Sequence, residues 1–241
     1  MCGIFGVLDG DYSKFIKLYQ RNQERGDFAF GALFTRNNDR TSGFHLTVKC
    51  KENFSIPKDY PLVENDKASK IEEFKALLGH TQAPTSSKRE FSAKTSHPFQ
   101  CNKWYVAHNG VLSNDRIIAT KLTPDTYNEV DSSVIPALFH KTEQEHQTRL
   151  GADKRINEVD VICESLSQLQ GTMGLWICNS TLSNVYLARS GSTLYANYLD
   201  NSFSSTKEPK MEELAEGTLY QLTPEGVTAV GKFNSNSPFF L

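Results

Sequence analysis

The chain of 241 residues has no disulfide framework, no membrane span and no excess charge of either sign. Its five cysteines, Cys2, Cys50, Cys101, Cys163 and Cys178, are odd in number, widely separated and never spaced Cys-x-x-Cys. That pattern argues against a disulfide scaffold or a zinc ribbon and fits a reducing compartment. No apolar run nears the roughly 20 residues of a membrane-spanning helix. The N-terminal apolar stretch has no basic residue before it and meets Asp9 and Asp11 at once, so it does not read as a secretory signal. Lys and Arg number 26 against 28 Asp and Glu, a net charge of −2, which gives no electrostatic case for nucleic acid or an acidic membrane as partner. Repeats, low-complexity tracts and linkers are missing, and no motif suggests a metal or nucleotide cofactor. The expectation is one cytoplasmic domain, 38% hydrophobic and large enough for a substantial core.

Apolar patterning supplies the elements. A short strand over 4–8 closes in the turn Asp9-Gly10-Asp11, and Ser13 reads as the cap of a helix through Gln23. Strands follow at 28–35 and 43–49 around the turn Asn37-Asn38-Asp39, then a short helix at 68–77. The segment 79–87 reads as too polar for a core element. A strand at 103–108 precedes Asn109-Gly110, ordinarily a hairpin turn but here followed by what looks like a helix entry. Asp131-Ser132-Ser133 reads as a cap for a helix through Phe139, and 154–169 as a second amphipathic helix. From Gly171 the apolar period becomes two, with strands at 173–178, 184–189, 193–198, 202–205, 217–222 and 227–230. The tail, ending Pro-Phe-Phe-Leu, reads as an apolar tip that docks on the body. Many strands with few helices between them imply an α+β fold, two packed sheets with helices outside.

Several polar clusters stand apart from this framework, and each has a bland reading. Cys2 is either a small buried residue or, once Met1 is removed, a thiol sharing its residue with a free α-amine. Such an amine is a base near neutrality, with an ordinary pKa of about 7.7–8.0, and a deprotonated thiol is a strong nucleophile. Arg25-Gly26 is either a helix end or part of an anion site. His80 and His108 are either core histidines or functional ones, Asp131 is a helix cap or an ammonium ligand, and Asn109-Gly110 is a turn or an oxyanion hole. One reaction uses them together. Thiolate attack on a carboxamide creates a tetrahedral oxyanion that needs fixed donors, which the Asn109 amide and the Gly110 N–H can supply. An amino-acid substrate needs an anion for its ammonium, available in Asp131. It also needs donors for its carboxylate, available in Arg25 and the 81–86 loop.

Met1-Cys2-Gly3-Ile4-Phe5-Gly6, Arg25-Gly26 with Gly31, Gly79-His80-Thr81 with Ala83-Pro84-Thr85, His97-Pro98-Phe99, His108-Asn109-Gly110 with Asn114, and Asp131 follow one another as in a known family. In these motifs the chain resembles the glutaminase domain of class II glutamine amidotransferases, N-terminal-nucleophile hydrolases, and the similarity runs over about residues 2–232. The resemblance implies a four-layer αββα sandwich forming a single domain over 2–241 with no fused synthase. It also implies a thioester mechanism in which Cys2 attacks glutamine with its own α-amine as base. Asn109 and Gly110 would form the oxyanion hole, Asp131 would bind the ammonium, and Arg25, Gln82 and Thr85 would help line the substrate pocket. Two positions depart from the family. Gln82 stands where relatives carry an arginine for the substrate α-carboxylate, removing a charge-assisted fork. Asp27 stands one position before the usual acidic residue and takes no role. Three functions follow: a glutaminase passing ammonia to a separate synthase subunit, an amidohydrolase acting on a modified γ-glutamyl or other amide, or a non-catalytic subunit that keeps the fold.

Overall fold

In a computed structural model, residues 2–8, 10–36, 45–51, 74–83, 90–122, 130–151, 153–181 and 184–235 are described. The period-two stretches form two sheets, with strands numbered here in chain order. The first contains β1 (Gly3–Leu8), β2 (Ala29–Arg36), β3 (His45–Lys51), β4 (Phe74–Gln82), β9 (Tyr195–Asn197), β10 (Ser202–Ser204) and β11 (Glu212–Glu213). Its strand order is β11-β9-β10-β1-β4-β2-β3. The second contains β5 (Phe99–Cys101), β6 (Trp104–Leu112), β7 (Gly171–Asn179), β8 (Asn184–Ser190), β12 (Thr218–Thr223) and β13 (Gly226–Lys232), ordered β13-β12-β8-β7-β6-β5. Every pairing between these strands is antiparallel. The first sheet is therefore assembled from both ends of the chain, with β1 at its centre between β10 and β4.

Alternation along each strand sorts side chains into three cores. Phe5, Val7, Phe30, Phe34 and Leu77 pack outward on helix α1 (Tyr12–Gln23), against Phe15, Leu18 and Tyr19. Ile4, Leu8, Leu33 and Leu78 meet Tyr105, Ala107, Trp176 and Leu187 between the sheets. On the far side, Trp104, Val106, Leu175 and Ile177 pack under α3 (Val134–Leu150) and α4 (Glu158–Leu166), while the short α2 (Asp115–Ala119) adds Ile118. Three apolar layers between four structural layers give the expected helix–sheet–sheet–helix order. Trp176 ties the two sheets by donating its indole N–H to the Gly79 carbonyl at 3.0 Å, which satisfies a polar group inside the sandwich. Gly79 itself has no room for a side chain, because a Cβ there would lie 2.4 Å from the Phe5 ring.

Several boundaries differ from the sequence reading. Asp11, not Ser13, caps α1, accepting the Lys14 N–H at 2.9 Å. Residues 74–77, expected at the end of a helix, begin β4, which continues through Gly79-His80-Thr81-Gln82 as a buried central strand. The polarity that argued against a core element belongs to a strand whose end enters the candidate site. Asn109-Gly110 is likewise no turn, since β6 runs through it to Leu112, paired with β7. Asp131–Ser133 forms a 3₁₀ turn, and α3 extends to Leu150, well past Phe139. The second helix begins at Glu158 rather than 154, where Asn157 accepts the Val159 N–H at 3.1 Å. The expected turn at 37–39, residues 68–73 of the expected helix, and the apolar tip beyond 235 lie outside the described residues. Among the described residues, no helix is long and apolar enough to cross a membrane.

Candidate active site

β1 starts one residue after Cys2. Its register with β4 pairs Gly3 with Thr81 and Ile4 with His80, so the next step outward sets Cys2 opposite Gln82. Ile4 and Leu78 face the inter-sheet core, so alternation directs Cys2, His80 and Gln82 to the same side, toward the second sheet. Thr81 faces the other way and donates its hydroxyl to the Asn22 carbonyl of α1 at 2.7 Å, so it is not available as a substrate donor.

Arg25 ends the helix, as one reading of its motif has it, and its side chain reaches the candidate site. The backbone closes α1, with the Arg25 and Gly26 N–H groups on the Asn22 and Gln23 carbonyls at 3.0 Å. The guanidinium then turns to the site: Nε donates to the Cys2 carbonyl at 2.9 Å and Nη1 to the Ser205 carbonyl at 3.4 Å. Burial pulls this guanidinium below its ordinary pKa, opposed by the neighbouring Cys2 and Tyr195. Gly26 lets the chain cross the end of β4, where a Cβ would lie 2.3 Å from the Ala83 nitrogen.

The second sheet delivers Asn109. Tyr105 and Ala107 face the inter-sheet core, and Asn109 continues that face. Its amide nitrogen donates to Ser205 Oγ at 3.3 Å and to Ser192 Oγ at 3.1 Å. Ser205 Oγ also accepts the Ile4 N–H at 3.1 Å. A path of two hydrogen bonds thus joins the candidate oxyanion donor to β1, the strand that follows Cys2. Both hydrogens of the Asn109 amide are engaged by serines, so an arriving oxyanion has to displace one. Ser192 is partly exposed and Ser205 only 1% exposed, which makes Ser192 the easier partner to leave.

Gly110 lies near the end of β6, and Asp131 is bonded to that end at Leu112. A Cβ on Gly110 would lie 2.0 Å from the Thr172 carbonyl oxygen, so no other residue fits that backbone path. Asp131 Oδ2 accepts the Leu112 N–H at 2.9 Å and Oδ1 accepts the Ser132 N–H at 2.8 Å. Two backbone donors hold the carboxylate beside the strand while leaving lone pairs for a further donor.

Around them, the His80 and His97 rings stack at 4.0 Å between centroids, and His97 meets Phe99 edge-on at 4.6 Å. Gly31 admits this packing, since a Cβ there would lie 1.8 Å from the His97 carbonyl oxygen. Gln82 is 2% exposed, and its Oε1 has no hydrogen-bond partner among the described residues. Cys2, Arg25 and Gln82 are thus brought together by register and hydrogen bonds around the ends of β1 and β4. Asn109 is tied to β1 through Ser205, and Gly110 and Asp131 lie on or beside the end of β6, whereas Thr85 lies outside the described residues. Sequence reasoning missed Ser192 and Ser205, which nothing in a serine-containing strand or turn marks out. It assigned His108 and Ser132 no specific catalytic or binding role. Among the described residues, no group of three His, Cys, Asp or Glu side chains is placed to hold a metal ion.

This fold is shared with solved structures of glutamine amidotransferases. Glutamine phosphoribosylpyrophosphate amidotransferase from B. subtilis superposes with a TM-score of 0.65 at 18% identity, over 98% of this chain and 50% of that one. A glutamine aminotransferase class-II domain protein from Silicibacter pomeroyi gives a TM-score of 0.52 at 12% identity, over 97% of this chain and 100% of that one. Among curated proteins, the chain is similar to 7-cyano-7-deazaguanine synthase 2 of Sulfurisphaera tokodaii, 22% identical over 95% of this chain and 48% of that protein. It is also similar to the 7-cyano-7-deazaguanine synthase of Saccharolobus solfataricus, 24% identical over 88% of this chain and 43% of that protein. The chain spans about half the length of the curated relatives it matches. No protein-family model matches it.

Proposed function

We propose that the chain is a glutaminase of the class II amidotransferase type, releasing ammonia from the glutamine side chain. Removal of Met1 frees the Cys2 α-amine, which takes the thiol proton, directly or through a water. The thiolate adds to the amide carbon, and the resulting oxyanion takes donors from Asn109 and the Gly110 N–H. Collapse expels ammonia, which carries away the proton, and leaves a γ-glutamyl thioester that water hydrolyses to glutamate. Asp131 holds the substrate ammonium, and Arg25 fixes the Cys2 backbone. The observation that carries this reading is the hydrogen-bond path from Asn109 through Ser205 to Ile4, two residues from Cys2.

The ammonia is passed to a synthase, either a separate subunit or a further module. Support comes from the names of the curated relatives and from the half of their length that this chain does not match. The test is glutamate release from glutamine by the protein with cysteine confirmed as its first residue. Absence of release, alone and with its synthase partner, would sink the reading.

One observation favours a second reading, an amidohydrolase acting on a modified γ-glutamyl or other amide. Gln82, opposite Cys2 in the strand register, presents a buried carbonyl oxygen with no hydrogen-bond partner among the described residues and brings no charge for an α-carboxylate. Losing one charge-assisted contact weakens binding by about 1.5–3 kcal/mol. A panel of glutamine and α-carboxyl-blocked analogues separates the two: preference for the blocked compounds supports the second reading.

A further inference from the structure

We infer that His108 is a positioning residue that aligns the oxyanion and ammonium halves of the site through its two ring nitrogens. It rests on the reading of Gly110 and Asp131 as substrate-facing groups. Asn109 faces the inter-sheet layer, so its neighbour His108 faces the opposite side of β6, where it is 1% exposed. Nε2 lies 3.1 Å from the Thr172 carbonyl, an acceptor that requires a proton on that nitrogen. The same Nε2 and carbonyl form the floor under Gly110, at 2.7 and 2.0 Å from where a Cβ would stand. On the other flank, Thr172 Oγ1 accepts the Val111 N–H at 3.2 Å. The Gly110 segment is therefore fixed from below by the imidazole and Thr172.

The second nitrogen reaches the acid. Nδ1 lies 2.8 Å from Ser132 Oγ, which is itself 3.1 Å from Asp131 Oδ1. Ser132 has one hydroxyl hydrogen for two neighbours. With the ring neutral and its proton on Nε2, Nδ1 is an acceptor and takes that hydrogen. Asp131 is then left with two backbone donors and open lone pairs, the state suited to receiving a substrate ammonium. A protonated ring would reverse Ser132, turning its hydrogen to Asp131 and occupying one of those positions. Burial favours the neutral ring, lowering the His108 pKa against the opposing influences of Asp131 and the Thr172 carbonyl. The imidazole lies on the opposite face of β6 from Asn109 and bonds Thr172 and Ser132, so it acts through Gly110 and Asp131.

Two conservative variants divide the linkage. His108→Gln reproduces the Nε2 donor and loses the Ser132 contact, whereas His108→Asn reproduces the Nδ1 contact and loses the one under Gly110. With rates normalised to the fraction of Cys2 that alkylates, His108→Gln is expected to raise KM for glutamine about tenfold while kcat changes less. Ser132→Ala should match it. His108→Asn is expected to lower kcat about tenfold with KM near that of the parent. Parallel changes in KM and kcat for both His108 variants, or an unchanged KM in Ser132→Ala, would overturn the inference. A parent protein that turns over no glutamine would refute the functional reading instead. Imidazole NMR would then decide the linkage alone: a neutral His108 with its proton on Nε2 at pH 7 upholds it, and a proton on Nδ1 overturns it.

Discussion

The two sheets bring different kinds of groups to the site and hold them by different means. The first sheet supplies Cys2 through β1, a central strand paired on both sides, and fixes it by backbone contacts, the Arg25 guanidinium on the Cys2 carbonyl and Ser205 on the Ile4 N–H. The second supplies Asn109, Gly110 and Asp131 from one strand end and one 3₁₀ turn, held by side-chain bonds that span 19 to 96 residues of sequence. Cys2 leads directly into a strand paired on both sides, and backbone contacts set its position. Asn109 and Gly110 also sit on a paired strand, but the Asn109 amide and the Asp131 carboxylate are aligned by individual polar contacts, so that half should be the easier one to disturb without unfolding.

Breaking the first half should have the largest effect on chemistry. Cys2→Ala removes the nucleophile, and glutamate release should fall by about a thousandfold or more while the thermal midpoint stays near the parent's. On the second half, Asn109→Ala takes away an oxyanion donor and should lower kcat by about 10²–10³, with KM little changed. Equal losses in kcat and thermal stability would indicate that Asn109 serves the fold alone. Gly79→Ala tests the first sheet's framework, since the new methyl group meets the Phe5 ring. Overpacking of this kind destabilises by about 1–3 kcal/mol, readable from urea denaturation.

The smallest expected effect lies away from the site, on β3 at the edge of the first sheet. Burial lowers the Lys49 pKa from 10.5 to about 8 while its Nζ donates to the Ala93 carbonyl. Between those two pKa values the unfolded chain binds more protons than the folded one, so this group makes stability rise with pH across that window. Lys49→Gln should flatten the rise in urea midpoint from pH 8 upward and leave glutamate release unchanged. A slope identical to the parent's would show that Lys49 is well solvated.

The same contrast explains what could be read from the sequence. The αββα architecture was legible because the apolar period of two repeats through the C-terminal half and the helices carry clear apolar faces. Cys2, Arg25-Gly26 and His108-Asn109-Gly110 could be singled out as candidates because each is a compact motif whose residue types suit one reaction. Strand β4 was misread because Gly79, His80, Thr81 and Gln82 are polar or small for site and packing reasons that override apolar patterning. Asn109-Gly110 has the composition of a turn, yet pairing with Gly174 and Met173 keeps it inside a strand. Ser205 and Ser132 matter only through partners far away in the chain, and no local pattern reports such partners.

The central claim is that Cys2 acts as an N-terminal nucleophile whose own amine is the base. It is tested most directly by comparing two preparations, one with Met1 removed and one with Met1 retained, each verified by intact-mass measurement and assayed for glutamate release from glutamine. The account predicts release, with a γ-glutamyl adduct on Cys2, from the processed chain and none above background from the other. Equal turnover by the chain that keeps Met1 would contradict it.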